Sequence, residues 1–231
     1  MAGFDRRRLA LYNLRDLDRI PQVQQLSEDH RFAMKVVAHV LPFRTNSYLV
    51  EELIDWSRVP DDPIFQLTFP QPGMLDPVAF ERMAAALRGA APEAEIAALA
   101  DDIRLSLNPH PAGQTSANVP LLNDERVPGM QHKYRETALI FPAHGQTCHS
   151  YCSFCFRWPQ FVGLDELKFA TDASRRFQDY LRVHPEITDV LITGGDPMIM
   201  GAAVLAAYVE PLLGPDFAHQ RRIFFGHFHQ R

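Results

Sequence analysis

Apolar residues recur three and four apart through "DHRFAMKVVAHVLPF", residues 29–43, and the spacing predicts a helix that stops near Pro42. "NSYLVEELIDW" predicts a second, short helix with Asn46 or Ser47 as its cap. "VPDDPIFQLTFPQPGM" is punctuated by proline and reads as extended chain. Asp76 then caps a helix with Pro77 at its first position and Gly89 at its end, and "PEAEIAALADDIRLSL" is amphipathic again. The stretch to about residue 107 is therefore mainly helical. "NPHPAGQTSANVPLLNDERVPGM" follows as a long connection. Near residue 133 the pattern changes. "TALIFPA" reads as a short strand, "DASRRFQDYLRVH" as a helix with Phe177, Tyr180 and Leu181 near one face, and "TDVLITGGDP" as a buried strand entering a glycine turn. "AAVLAAYVEPLL" is a helix and "RRIFFG" a third strand. Strands alternating with helices predict an α/β fold of parallel βα units, with a helical N-terminal region over 1–130 and the βα part over 131–231.

Length and charge narrow the function. The 231 residues suffice for one large domain or two small ones. A net charge of -5 offers no basic excess for phosphates, so nucleic acid is not the expected partner, and Arg6 to Arg8 read as a solvated face. No apolar run reaches the ~18 residues of a membrane helix. The N-terminus carries no apolar signal core. A cytoplasmic protein without a membrane partner is the expectation.

All three cysteines of the chain fall in "CHSYCSFC", residues 148–155. An odd, tight cluster fits no disulfide framework and points to metal or redox chemistry. With C-x3-C-x2-C spacing, Cys148, Cys152 and Cys155 can each bind a different iron of a four-iron four-sulfur (4Fe-4S) cluster and leave the fourth iron open for a ligand. Phe154 would pack beside it. A zinc site with His144 or His149 as the fourth ligand is the rival. The cysteine loop and "TGGDP" both follow strands, so both belong at the C-terminal ends of the sheet. Gly194 and Gly195 permit close backbone approach, and Asp196 can accept from an ammonium group. Trp158, Phe156 and Phe161 crowd the loop as pocket wall or as core. His219, His227 and His229 read as a basic tail rather than as a metal site.

These residues carry a resemblance. C-x3-C-x-aromatic-C after a first strand, followed by Gly-Gly-Asp-Pro after the next, resembles the radical S-adenosylmethionine (radical SAM) enzymes. "VPGMQHKYRETALIFPAHGQTCHSYCSFCFR", "TDVLITGGDPM", "LPFRTNSYLVEELIDW" and "DDPIFQ" are more narrowly similar to the lysine 2,3-aminomutase family. The resemblance implies a partial (β/α) barrel, a 4-iron cluster on Cys148, Cys152 and Cys155, and S-adenosylmethionine on its open iron. It also implies contacts from Gly194, Gly195 and Asp196 to the methionine amino group, an electron donor such as flavodoxin or ferredoxin, and a small amino acid substrate whose amino group migrates to the adjacent carbon. Pyridoxal phosphate is the family's further cofactor. Arg157 matches the arginine that pairs with the substrate carboxylate, and Lys133 falls near the pyridoxal phosphate group.

The chain also departs from that pattern. Its lysines are Lys35, Lys133 and Lys168, and none follows the glycine motif, where the family carries its pyridoxal phosphate lysine. Thr137 replaces an arginine. After Asp196 the acidic residues are Glu210 and Asp216. At ~30 residues per βα unit, the stretch from Thr137 onward holds about three where the family core has roughly six. The expectation is an incomplete barrel: a truncated chain, a split subunit or a shifted reading frame, with a missing C-terminal half or a second copy as partner. Two alternatives stay open, a radical SAM enzyme on another substrate without pyridoxal phosphate and a non-catalytic iron-sulfur or zinc module.

Overall fold

The structure is a computed structural model that describes residues 9–107, 113, 116–152, 155, 158, 162–164, 167 and 169–226. It falls into two compact units, 1–107 with 149–155, and 108–148 with 156–231.

The first unit is helical. β1 (Leu11–Asn13) leads into a short 3-10 turn, α1 (Pro21–Gln24) and α2 (Glu28–Val40). Ser27 caps α2 by accepting from the His30 N–H, and Glu28 and Asp29 in its first turn complement the helix dipole. β2 (Arg44–Asn46) pairs antiparallel with β1. Asn46 is the cap read from sequence: its Oδ1 accepts from the Leu49 N–H at 3.0 Å, opening one wide π-type turn over Leu49–Leu53. The proline-rich stretch expected to be extended instead contains α3 (Pro63–Thr68). Asp62 caps it through the Phe65 N–H at 2.7 Å, and Pro63 takes the first position, where no N–H is needed. α4 (Pro77–Arg88) begins at Asp76 and ends at Gly89, and α5 (Glu93–Ser106) follows.

α2 is buried on two sides. Met34 and Ala38 join Leu17, Ile20, Phe65 and Phe69 in one cluster. Val36, Val37 and Val40 join Met83, Ala84 and Ile103 of α4 and α5 in another. Phe65 and Phe69 lie four apart and stack at 4.9 Å, with the Trp56 edge against both. Arg104 closes the C-terminal end of α2, donating from Nε to Val40 O at 2.7 Å and from Nη2 to His39 O at 3.0 Å. These are carbonyls that a helix end leaves unpaired.

The second unit is a sheet with helices. A small hairpin, β3 (Leu121–Leu122) with β4 (Glu125–Arg126), precedes β5 (Met130–Tyr134), β6 (Thr137–Ile140), α6 (Ser174–Val183), β7 (Asp189–Ile192), α7 (Ala202–Val209) and β8 (Arg222–Phe225). The sheet order is β5-β6-β7-β8; β5 is antiparallel to β6, and β6, β7 and β8 are parallel. The fold is thus mixed α/β with a parallel sheet. β5 was not legible as a strand. The Ala138, Ile140, Val190 and Ile192 side chains are fully buried with Phe177, Tyr180 and Leu181 of α6 and Tyr208 of α7. Ile140, Ile192 and Phe225 are level across the sheet, so the turns after β6 and β7 emerge side by side. Among the described residues no helix is long and apolar enough to cross a membrane.

Candidate functional site

The chain leaves β6 at Phe141 and returns to the same place. Thr171 bridges Pro142 in parallel fashion, its N–H donating to Phe141 O at 2.9 Å while Ala143 N–H donates to Thr171 O at 3.0 Å. The excursion between these points carries the cysteines. Residues 143–147 form its base, beginning with a 3-10 turn at Ala143–Gly145.

The glycine turn is built onto that base. The Asp196 N–H donates to both Gly145 O at 3.1 Å and Thr147 O at 2.8 Å. A methyl group at Gly195 would lie 2.5 Å from the Thr147 carbonyl carbon and 2.6 Å from its nitrogen. Gly194 holds φ at +134°, a conformation that L side chains rarely adopt, and a methyl there would lie 2.6 Å from Gln146 Cδ. Both glycines are therefore needed for close approach, but to the chain just before Cys148. Asp196 is buried and caps a short 3-10 turn, its Oδ1 accepting from the Met198 N–H at 2.9 Å.

Gln146 was not singled out from sequence. Its Nε2 donates to Pro142 O at 2.8 Å and to Thr193 O at 3.4 Å, tying the ends of two adjacent parallel strands. The only sequence signal is a long amide side chain two residues before the first cysteine.

Cys148, Cys152 and Cys155 are each half-buried. Cys148 groups with the sheet unit, whereas 149–155 group with the helical one. The Cys155 N–H donates to Cys152 O at 2.9 Å, so these two cysteines share one turn. Tyr151 anchors the segment: its N–H donates to Leu67 O at 2.6 Å and its hydroxyl to Pro42 O at 2.9 Å. Burial pushes that hydroxyl above the ordinary tyrosine range. Tyr151 was not singled out from sequence, where its one signal is an aromatic between two cysteines.

As a donor set, three partly accessible thiols on a short loop suit a 4-iron cluster, which takes one thiolate per iron. Among the described residues no group of three or more His, Cys, Asp and Glu side chains is gathered about one metal-ion position. His144, the rival zinc ligand, pairs its Nδ1 with Asp172 Oδ1 at 3.4 Å.

Lys133 stands apart from these elements. It is exposed near the Tyr134 end of β5, level with the start of β6, and its Nζ lies 5.4 Å from the Tyr134 ring centroid. The glycine turn is at the opposite end of the sheet. Lys35 pairs with Asp18 at 2.6 Å in the helical unit. His219 Nε2 donates to Leu181 O at 3.1 Å. Phe154, Arg157, Phe156, Phe161, Lys168, His227 and His229 lie outside the described residues, while Trp158 is half-buried.

The chain is similar to lysine 2,3-aminomutases. It is 29% identical over 204 residues to a putative L-lysine 2,3-aminomutase of Aquifex aeolicus, covering 88% of this chain and 43% of that protein. It is 29% identical over 89 residues to the L-lysine 2,3-aminomutase of Clostridium subterminale, covering 38% of this chain and 21% of that one. For the Haemophilus influenzae L-lysine 2,3-aminomutase the figures are 34% over 90 residues, 39% of this chain and 25% of that one. The chain thus spans less than half the length of these relatives. No protein-family model matches it.

Proposed function

We propose that this chain is part of a radical SAM enzyme related to the lysine 2,3-aminomutases, with a 4-iron cluster on Cys148, Cys152 and Cys155. The observation that carries the reading is the joining of two elements at the C-terminal ends of adjacent parallel strands, where the Asp196 amide binds the carbonyl just before the first cysteine. Ligands bind at that end of parallel sheets. The similarity to aminomutases along most of the chain supports the same reading. Residues 131–231 then begin a radical SAM (β/α) core, with 1–130 as a helical region and connection.

Each residue has a distinct task. Cys148, Cys152 and Cys155 would hold three irons of the cluster and would leave the fourth for the amino and carboxylate groups of S-adenosylmethionine. The turn at Gly194–Asp196 orients the amino group, and the Asp196 carboxylate balances its charge. When bound and reduced, such a cluster supplies the electron that splits the sulfonium of S-adenosylmethionine. A flavodoxin- or ferredoxin-type donor delivers that electron. By resemblance, Arg157 pairs with the carboxylate of an amino acid substrate, and the activity of the whole protein is a 1,2-amino migration.

Pyridoxal phosphate does not fit the lysines described here: Lys35 is in an ion pair in the helical unit, and Lys133 is at the far end of the sheet. No step is assigned to it. A second reading is a radical SAM enzyme acting on another substrate without pyridoxal phosphate.

Anaerobic reconstitution with iron and sulfide tests the proposal. The expected product is a brown protein that, once reduced with dithionite, converts S-adenosylmethionine to 5'-deoxyadenosine. A colourless protein that takes up zinc and no iron overturns it. Supplying lysine with and without pyridoxal phosphate, with products read by mass spectrometry, separates the two readings.

A further inference from the structure

Gln146 has a side chain whose two ends are treated unequally. Its Nε2 donates to two carbonyls, Pro142 O beyond β6 and Thr193 O beyond β7. Its Oε1 is buried and has no hydrogen-bond partner among the described residues. A flipped amide would turn oxygen toward two carbonyl oxygens, so the donors fix the orientation and strand the acceptor. Leaving a buried acceptor unpaired opposes folding. The arrangement makes sense where holding the two carbonyls matters more than satisfying Oε1.

The held carbonyls say what is being set. Thr193 is the residue before Gly194, and Thr193 itself is fastened to the sheet by its N–H to Ile140 O at 2.9 Å. The amide of Gln146 lies against the Gly194 Cα, where only hydrogen leaves room. On the next residues, Thr147 backs Gly195 and receives the Asp196 N–H. Main-chain bonds hold the Asp196 end of the turn over the cysteine-loop base, and one side chain, Gln146, holds the Thr193–Gly194 end.

We propose that Gln146 is a positioning residue that holds the Gly194–Asp196 turn in the geometry that recognises the amino group of S-adenosylmethionine. The inference rests on the radical SAM reading. It assigns Gln146 no contact with the cluster and no direct contact with substrate; it acts through the turn.

The test uses the full chain, reconstituted anaerobically, as wild type, Gln146→Leu and Gln146→Asn. Iron content is measured first. The cluster's optical and paramagnetic spectra are then titrated with S-adenosylmethionine and with the analogue whose amino group is replaced by hydrogen. Wild type is expected to prefer S-adenosylmethionine by roughly ten- to a hundredfold. Gln146→Leu is expected to keep its iron and to have that preference reduced about tenfold, the amino group still meeting the open iron, and Gln146→Asn, one methylene too short to span both carbonyls, to do the same. A general loosening of the fold would instead weaken both ligands equally and keep the ratio, which overturns the inference. A Leu variant that retains full preference also overturns it. Where the Leu variant fails to take up iron, the Asn variant decides by the same ratio. Loss of iron from both places Gln146 in support of the cysteine loop rather than the turn and overturns it too. Wild type that binds neither ligand brings down the radical SAM reading itself, and this inference with it.

Discussion

The Asp196 N–H donates to Thr147 O at 2.8 Å, and Thr147 is the residue immediately before Cys148. A residue read from sequence as a ligand contact is thus joined by its backbone to the start of the cysteine loop, leaving its carboxylate for other work. Asp196 Oδ1 caps the Met198 N–H, a bond that asparagine can also accept. Asp196→Asn should therefore fold and hold its cluster normally. Its affinity for S-adenosylmethionine should fall by about ten- to a hundredfold, the loss of a charge-assisted bond. Titration of the reconstituted protein checks this, and an unchanged affinity would reduce Asp196 to a cap.

Replacing any one of Cys148, Cys152 or Cys155 with alanine removes one of three thiolates. Iron per chain after reconstitution should collapse in each of the single variants, with loss of the visible charge-transfer bands. Full iron and colour in any one of them would strike that residue from the ligand set.

Gly195→Ala puts a methyl group against the Thr147 backbone, which cannot swing aside as a side chain can. Overpacking of this kind costs about 1–3 kcal/mol, and thermal unfolding should drop by roughly 2–4 °C per kcal/mol. Gly73→Ala is the control, since its methyl group would meet nothing within 4 Å. Equal melting temperatures for the two variants would contradict the close approach described here.

Alkaline pH should unfold the chain through its tyrosines. Burial raises the Tyr151 and Tyr180 hydroxyls, and Tyr208, donating to Thr171 O at 3.0 Å, is pushed up to about 12, against an ordinary value of 10.0. Above pH 10 the unfolded chain loses these protons while the folded one keeps them, so stability is constant with respect to these groups below that pH and falls above it. Tyr208→Phe should flatten the decline between pH 10 and 12, as followed by denaturant melts at each pH. A slope identical to wild type would mean that Tyr208 ionises normally.

Local signals were legible where one residue type does one job. Asp76, Pro77 and Gly89 marked α4 because capping chemistry is local, and the cysteine spacing stood out because thiols are scarce in this chain. α3 was misread because proline was weighed as a breaker, although Pro63 after Asp62 is a helix start. β5 was missed because "MQHKY" is half polar and is a strand only by pairing with β6. The bracing of the glycine turn by Gln146 and Thr147 joins residues 47 to 49 apart in sequence, and no periodicity or motif reports such a contact.

The turn meets the loop base through main-chain atoms and one amide, all before Cys148. Among the described residues, the loop's share of these hydrogen bonds is therefore upstream of the first thiol. For an engineer, this marks where the chain tolerates exchange. A cysteine loop taken from another protein and spliced in at Cys148 is expected to leave this joint intact, provided that it keeps an aromatic anchor equivalent to Tyr151. A single residue inserted at 145–147 shifts the register of the carbonyls that hold Asp196, and the graft should fail even with every cysteine in place.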